Sequence, residues 1–321
     1  MTNTKILSVP NSNMAIIPFK IKQALVALEL GDGDEKLLDY LDFFSRQIPI
    51  EAAEFLHVLP KFDLLNAIFG REGSGFVSNY ELNEETIREM KIETKTRLER
   101  RNILPAGNQI NKVEYDVREG NPLEELLKEV TETKADLTII GQKSARGQHG
   151  ILARNLARKA SNHALIVPEG ARARLRKIMI PIDFSASSIK GLQTALAINK
   201  QLKEPAEIIC VNVYEMPNIA AVYIRKTTEE LKKMIEQDRM EAFQTFLKTY
   251  GGPDQHLLKT ILIENRLGDI GTYLMDYALE SNADLIIMGA KGHSKVELLL
   301  LGSVTERLLS ENDVIPTLIV K

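Results

Sequence analysis

Cysteine is all but missing from this 321-residue chain: Cys210 stands alone, inside the apolar run IICVNV. One thiol closes no internal disulfide, and a small residue in such a run reads as a buried thiol rather than a reactive one. Histidine is scarce too, five residues scattered along the chain. There is no C-x-x-C, no H-E-x-x-H and no G-x-x-x-x-G-K-[ST]. No resident metal site is therefore expected, and His57, on a predicted strand, reads as a core residue with a satisfied ring. No apolar stretch approaches the ~18 residues of a membrane-spanning helix. The first residues, MTNTKILSVPNSN, lack the charged start and long apolar core of a signal peptide, and residues 1–20 read as a loose extension. Strong charge of one sign is absent as well: the net charge is -3, which argues against a dedicated nucleic-acid binder. These absences together lead to the expectation of a cytoplasmic protein with no membrane or nucleic-acid partner.

What is present is ordinary globular material, 44% apolar and 26% charged, in a length that suits two domains with a core each. The chain repeats itself. Laying IMIPIDFSASSIKGL (178–192) on ALVALELGDGDEKLL (24–38) needs no gap. Each is an apolar strand, a carboxylate at its end, a polar turn and a helix, with Asp183 on Glu29 and Pro181 on Ala27. AEIICVNVYEMP then matches AAEFLHVLP, with Val213 opposite Val58. Long charged helices follow, within 83–101 in the first copy and from Thr227 in the second, where Glu230 is placed for a capping box. Third strands are expected at 113–117 and 257–263, then the helices PLEELLKEVTET and IGTYLMDYALES. The fourth strands are ADLTIIG and ADLIIMG, and the copies close on HALIVPE and PTLIVK. Strands alternating with helices predict a parallel sheet covered on both faces, so each copy is a doubly wound α/β domain. The boundary falls in EGARARLRK, giving domains at 21–170 and 171–321. Nine Lys/Arg against one Glu between 143 and 177 read as a solvated linker and helix face, since no aromatics interleave them.

The chemistry concentrates in DLIIMGAKGHSKVELLLLGS, 284–303. An apolar strand ends on Gly289, Gly292 follows, and nine residues later Gly302 and Ser303 open a helix. Glycine at a strand end permits close backbone approach. A Gly-Ser helix start offers free N–H groups, a hydroxyl and the positive end of the dipole, which are the parts of a phosphate cradle. This G-x-x-G, nine residues, G-S spacing resembles the nucleotide-binding signature of the universal stress protein family. The resemblance covers nearly all of 24–321 as a tandem pair. It implies the universal stress protein fold, adenine nucleotide alpha-hydrolase-like, with two five-stranded parallel sheets each ordered 3-2-1-4-5. It also implies a pseudo-dimer of the two halves through antiparallel fifth strands, and further homo-oligomers are left open.

In such a sheet ligands sit outside the carboxyl ends of the strands, here between strands one and four. The candidate nucleotide-binding residues are Pro181, Asp183, Val213, Met288, Gly289, Gly292, His293, Gly302, Ser303 and Val304. By resemblance Asp183 and Val213 face adenine and ribose, and the glycines, Ser303 and Val304 follow ribose and phosphates. Asp183 competes with Ser185 for a second job, capping the next helix. Lys291, His293, Ser294 and Lys295 rank below the glycines. The first copy keeps Gly141 but places Ser144, Arg154 and Asn155 at the gapless positions of Gly292, Gly302 and Ser303. It reads as a degenerate, structural half; an altered anion held by Arg154 and Arg158 is the other reading. The function that follows is a stress module responsive to ATP, or to AMP or ADP, with Mg²⁺ carried on the phosphates. A slow ATPase or adenylyl-transferring enzyme and a nucleotide-free interaction protein are the rivals. No catalytic residue is evident, because Glu297 is the only carboxylate between Gly292 and Gly302.

Overall fold

A computed structural model describes residues 16–31, 33–59, 84–100, 109–143, 150–216, 228–253, 255–266, 268–290 and 301–321. The first half runs β1 (Ile21–Leu28), α1 (Gly33–Ser45), β2 (Ile50–Leu59), α2 (Glu84–Arg100), β3 (Ile110–Glu119), α3 (Pro122–Thr133), β4 (Leu137–Gln142), α4 (Ile151–Lys159) and β5 (His163–Pro168). The second repeats it: β6 (Lys177–Pro181), α5 (Ala186–Gln201), β7 (Glu207–Glu215), α6 (Thr228–Tyr250), β8 (Lys259–Asn265), α7 (Ile270–Glu280), β9 (Leu285–Gly289), α8 (Ser303–Glu311) and β10 (Thr317–Val320).

All ten strands lie in one sheet, ordered β3-β2-β1-β4-β5-β10-β9-β6-β7-β8. Each half is parallel and follows the order 3-2-1-4-5. The halves meet where β10 pairs antiparallel with β5, Thr317 opposite Ile166 and Leu318 opposite Leu165. That pairing removes an apolar edge from each half. Successive side chains of a strand face opposite layers: on β1, Val26 and Leu28 enter one core while Leu25 and Ala27 enter the other. Both cores run on through β5 and β10 into the second half, so neither half closes a core of its own.

The repeated ADL segment has a mechanical role that its hydrophobic pattern does not show. Asp136 Oδ2 accepts the amides of Lys22 and Gln23 at 2.8 and 3.0 Å. Asp284 Oδ2 accepts those of Arg176 and Lys177 at 2.8 and 3.0 Å, and its Oδ1 pairs with Arg174 at 2.6 Å. Each carboxylate thus pins the incoming first strand of its half against the fourth. The basic stretch is also less free than a solvated linker: besides Arg174, Lys143 pairs with Glu29, Arg158 with Glu306, and Lys177 Nζ reaches Ser281 O.

Two strands differ from expectation. β3 extends beyond 113–117 at both ends, to Ile110 and Glu119, and its charged residues suit an edge strand. β8 starts later than 257, since Gln255–Leu257 forms a 3₁₀ turn. Thr227, the expected start of the long second-half helix, lies outside the described residues, and α6 begins at Thr228.

Candidate nucleotide cleft

At the carboxyl ends of β6, β7 and β9 the sheet opens into a cleft of about 310 Å³. The order of strands makes it: β6 feeds α5 to one side and β9 lies on the other, so the loops diverge and leave a crevice. Pro181, Asp183, Val213, Met288, Gly289, Gly302, Ser303 and Val304 all line it. Gly292 and His293 lie outside the described residues, as do Lys291, Ser294, Lys295 and Glu297.

Each wall has a local cause. Val211 and Val213 both line the cleft from the end of β7, and the residue between them is anchored in the sheet. That residue is Asn212, 4% exposed, whose Nδ2 donates to Ile182 O at 2.7 Å. Asn212 Oδ1 is buried without a partner among the described residues. Asp183 is exposed and its Oδ1 accepts the Ser185 amide at 3.0 Å, while Ser185 Oγ caps α5 through the Ser188 amide at 3.2 Å. The competition expected for the cap is thus shared, with Ser185 capping and Asp183 holding the turn before it. The floor on the β9 side is Met288, 4% exposed, and Ile270 and Leu274 of α7 close the far side.

Gly289 is needed for a reason other than ligand approach. A β-carbon there would lie 2.5 Å from Ser187 Cβ and 2.6 Å from Ser187 O. The first turn of α5 rests on this glycine, so the close approach is between helix and strand. Gly302 likewise has a committed amide: its N–H donates to Ala290 O at 3.0 Å, closing the base of the loop. Among the described residues no side chain caps α8 at Gly302. Ser303, exposed, and Val304 therefore present first-turn amides and a hydroxyl to the cleft at the positive end of the helix. The loop is closed at its neck and the helix start faces the crevice, an arrangement able to hold an anion.

The first half has a cleft at the corresponding place, about 300 Å³, but a different helix start. α4 begins at Ile151 after Gly150, whose φ is +92°. Its buried Ala153, Leu156 and Ala157 take the places of Thr305, Leu308 and Leu309 in α8. Gly150 and Ile151 therefore stand where Gly302 and Ser303 do, four residues earlier than the gapless alignment placed them. Arg154 and Asn155 are inside the helix. The shorter loop between β4 and α4 accounts for the shift; Ser144 lies outside the described residues. His57 takes the place of Asn212, and its Nδ1 sits 2.9 Å from Leu28 O, the same strand-end contact made by a ring. Sequence reading missed this shared role because it lies in the pairing of strands, not in residue type. It also missed Asp34, 5% exposed at the start of α1, whose oxygens accept the amides of Glu29 and Leu30 at 3.1 and 2.7 Å. Burial raises the pKa of Asp34 above the ordinary carboxylate range.

Other polar groups are structural. Cys210 is fully buried, and burial pushes its thiol up to about 12. Glu54, Asp116 and Glu129 lie close together on the β2–β3 side, where Arg118 pairs with Asp116 and Glu129. Among the described residues no helix is long and apolar enough to cross a membrane.

Residues 174–321 match the model of the universal stress protein family. A universal stress protein of Methanocaldococcus jannaschii is 28% identical over 146 residues, 46% of this chain and 82% of that protein. Over nearly the whole chain the backbone is similar to the crystal structure of a universal stress protein from Archaeoglobus fulgidus. The TM-score is 0.62 at 19% identity, covering 93% of this chain and 98% of that one. A functionally unknown protein from Pseudomonas aeruginosa is similar at a TM-score of 0.55 and 16% identity, covering 94% of this chain and 92% of that one. These structural likenesses speak to the fold, and the sequence match speaks to the second half. The similarity to the universal stress protein family is thus carried by sequence over residues 174–321 and by backbone fold over nearly the whole chain.

Proposed function

We propose that the C-terminal cleft binds one adenine nucleotide, ATP or its mono- or diphosphate, and that the protein acts as a stress module through occupancy of that site. The observation that carries this reading is the gathering of eight separated residues, from Pro181 to Val304, around one crevice that ends on a helix start capped by no described side chain. In this reading the base lies between Pro181, Val213 and Met288, the ribose hydroxyls meet Asp183, and phosphates lie over the Ser303 and Val304 amides, with Mg²⁺ carried on them. Among the described lining residues Asp183 is the one carboxylate, and its place beside ribose supports holding a nucleotide rather than hydrolysing it. The N-terminal half is the partner of an intrachain pseudo-dimer, which the β5–β10 pairing supports. A ligand that prefers one conformation shifts the population toward it without turnover. The test is to denature freshly purified protein and identify and count the released nucleotide. About one adenine nucleotide per chain, absent from Gly302→Arg protein, is expected. A preparation that neither carries nor takes up adenine nucleotide would refute the reading.

A further inference from the structure

The N-terminal cleft has nearly the volume of its C-terminal counterpart, about 300 against 310 Å³, and repeats its apolar walls position by position. Ala27 stands for Pro181 and Val58 for Val213, as the strand registers require. Leu126 stands for Leu274 and Ile140 for Met288, at matching places on α3, α7, β4 and β9. What the first cleft omits is the cradle. Among its described lining residues nothing corresponds to Gly302, Ser303 and Thr305, and the helix that would supply them starts on Gly150 and Ile151.

The polar groups around this cleft also differ, with three carboxylates in place of one. It is lined by three carboxylates, Glu29, Asp34 and Glu169, with Lys143 as its one described cation. Lys143 is held by Glu29 at 2.6 Å. Gln142, 2% exposed, donates both Nε2 hydrogens across the junction, to Leu309 O at 3.1 Å and Asn312 O at 3.0 Å. That fixes the amide and leaves Oε1 buried without a partner among the described residues. His57 turns its Nδ1 to Leu28 O, 2.9 Å away. The site is therefore rich in acceptors and negative charge. Among the described residues a phosphate, itself acceptor-only and anionic, meets one cation already held by Glu29 and repulsion from the carboxylates. An exocyclic amine and ribose hydroxyls, which donate, suit it.

We propose that the N-terminal cleft is a second ligand site, for an unphosphorylated purine nucleoside such as adenosine, and that it rejects the corresponding nucleotides. The proposal rests on reading the C-terminal cleft as a nucleotide site, because the shared walls are what assign a base and ribose to the first half. Binding a phosphorylated and an unphosphorylated form of one ligand in a single rigid sheet would let the protein compare the two.

The experiment separates the two readings. ATP is first titrated into the full chain by calorimetry, which tests the C-terminal site alone. Adenosine is then titrated into ATP-saturated protein, and AMP into a parallel sample. One adenosine per chain is expected, with AMP binding at least tenfold more weakly. Ala27→Phe, which fills the cleft, and Leu152→Trp, which narrows it from half-buried α4, should each weaken adenosine at least tenfold while ATP binding persists. That persistence shows the variants are folded. No adenosine uptake by ATP-saturated protein, AMP binding as well as adenosine, or adenosine binding indifferent to both substitutions would overturn the proposal. If neither ATP, ADP nor AMP binds at all, the C-terminal reading fails by itself, and the same variants then test adenosine binding directly.

Discussion

Gly289 ends β9 and Gly141 stands next to last in β4, and they should respond oppositely to a single methyl group. At Gly289 the added β-carbon meets Ser187 at 2.5 Å and its carbonyl oxygen at 2.6 Å, and that oxygen belongs to backbone that cannot swing aside. At Gly141 the nearest atom is Leu37 Cδ2 at 3.9 Å, an ordinary contact. Neither glycine has positive φ, so alanine is admissible at both on backbone grounds. Stiffening the unfolded chain stabilises by about 0.4–1 kcal/mol in each case, and this contribution cancels between the variants. What remains is the overpacking at Gly289, about 1–3 kcal/mol. With a urea slope of about 2 kcal/mol/M the midpoints should differ by roughly 0.5 M or more. Urea unfolding of nucleotide-free protein followed by circular dichroism measures this. Gly141→Ala should unfold at or slightly above the wild-type midpoint, and Gly289→Ala clearly below it. Equal midpoints for the two variants would refute the claim that α5 rests on Gly289, and would return that glycine to a ligand-only role.

His163 lies at the junction of the halves, where its Nδ1 accepts the Lys321 amide at 3.2 Å. Burial, with lesser help from Lys190 and Lys321 and against Asp136, holds its pKa below the ordinary 6.5. The unfolded chain therefore takes up a proton that the folded state resists: stability is full above about pH 6.5 and falls as pH drops below it. Replacing His163 with Asn, which keeps an acceptor, should flatten that part of a stability-against-pH curve, and an unchanged slope would count against the assignment. Asp284→Ala removes the acceptor of the Arg176 and Lys177 amides and should cost about 1–3 kcal/mol in urea unfolding; a change within experimental error would show that the clamp is incidental. Cys210 should ignore a thiol reagent at pH 8 in native protein and react fully in denaturant, and rapid native labelling would contradict its burial.

The alternation of strands and helices was legible because it is carried by apolar runs and repeats, as in ADLTIIG and ADLIIMG. The cleft was legible because its residues cluster at strand ends that topology alone brings together. What was hidden depends on loop length and on partners distant in sequence. A gapless alignment put Arg154 and Asn155 at the helix start, and only the position of Ala153 and Leu156 against the core shows that Gly150 and Ile151 stand there. Gly289 carries no mark of whether a ligand or a helix needs the space. The strand-end contacts of His57 and Asn212 are made by dissimilar side chains and become visible as one device only through the register of β1 with β2 and of β6 with β7.

The central claim is that only the C-terminal cleft holds a phosphorylated nucleotide, and a calorimetric titration of ATP into wild-type and Gly302→Arg protein tests it most directly. The account predicts one site per chain in the wild type and binding weakened by well over tenfold in the variant. Two equal ATP sites per chain, or a Gly302→Arg protein that binds as tightly as the wild type, would contradict it.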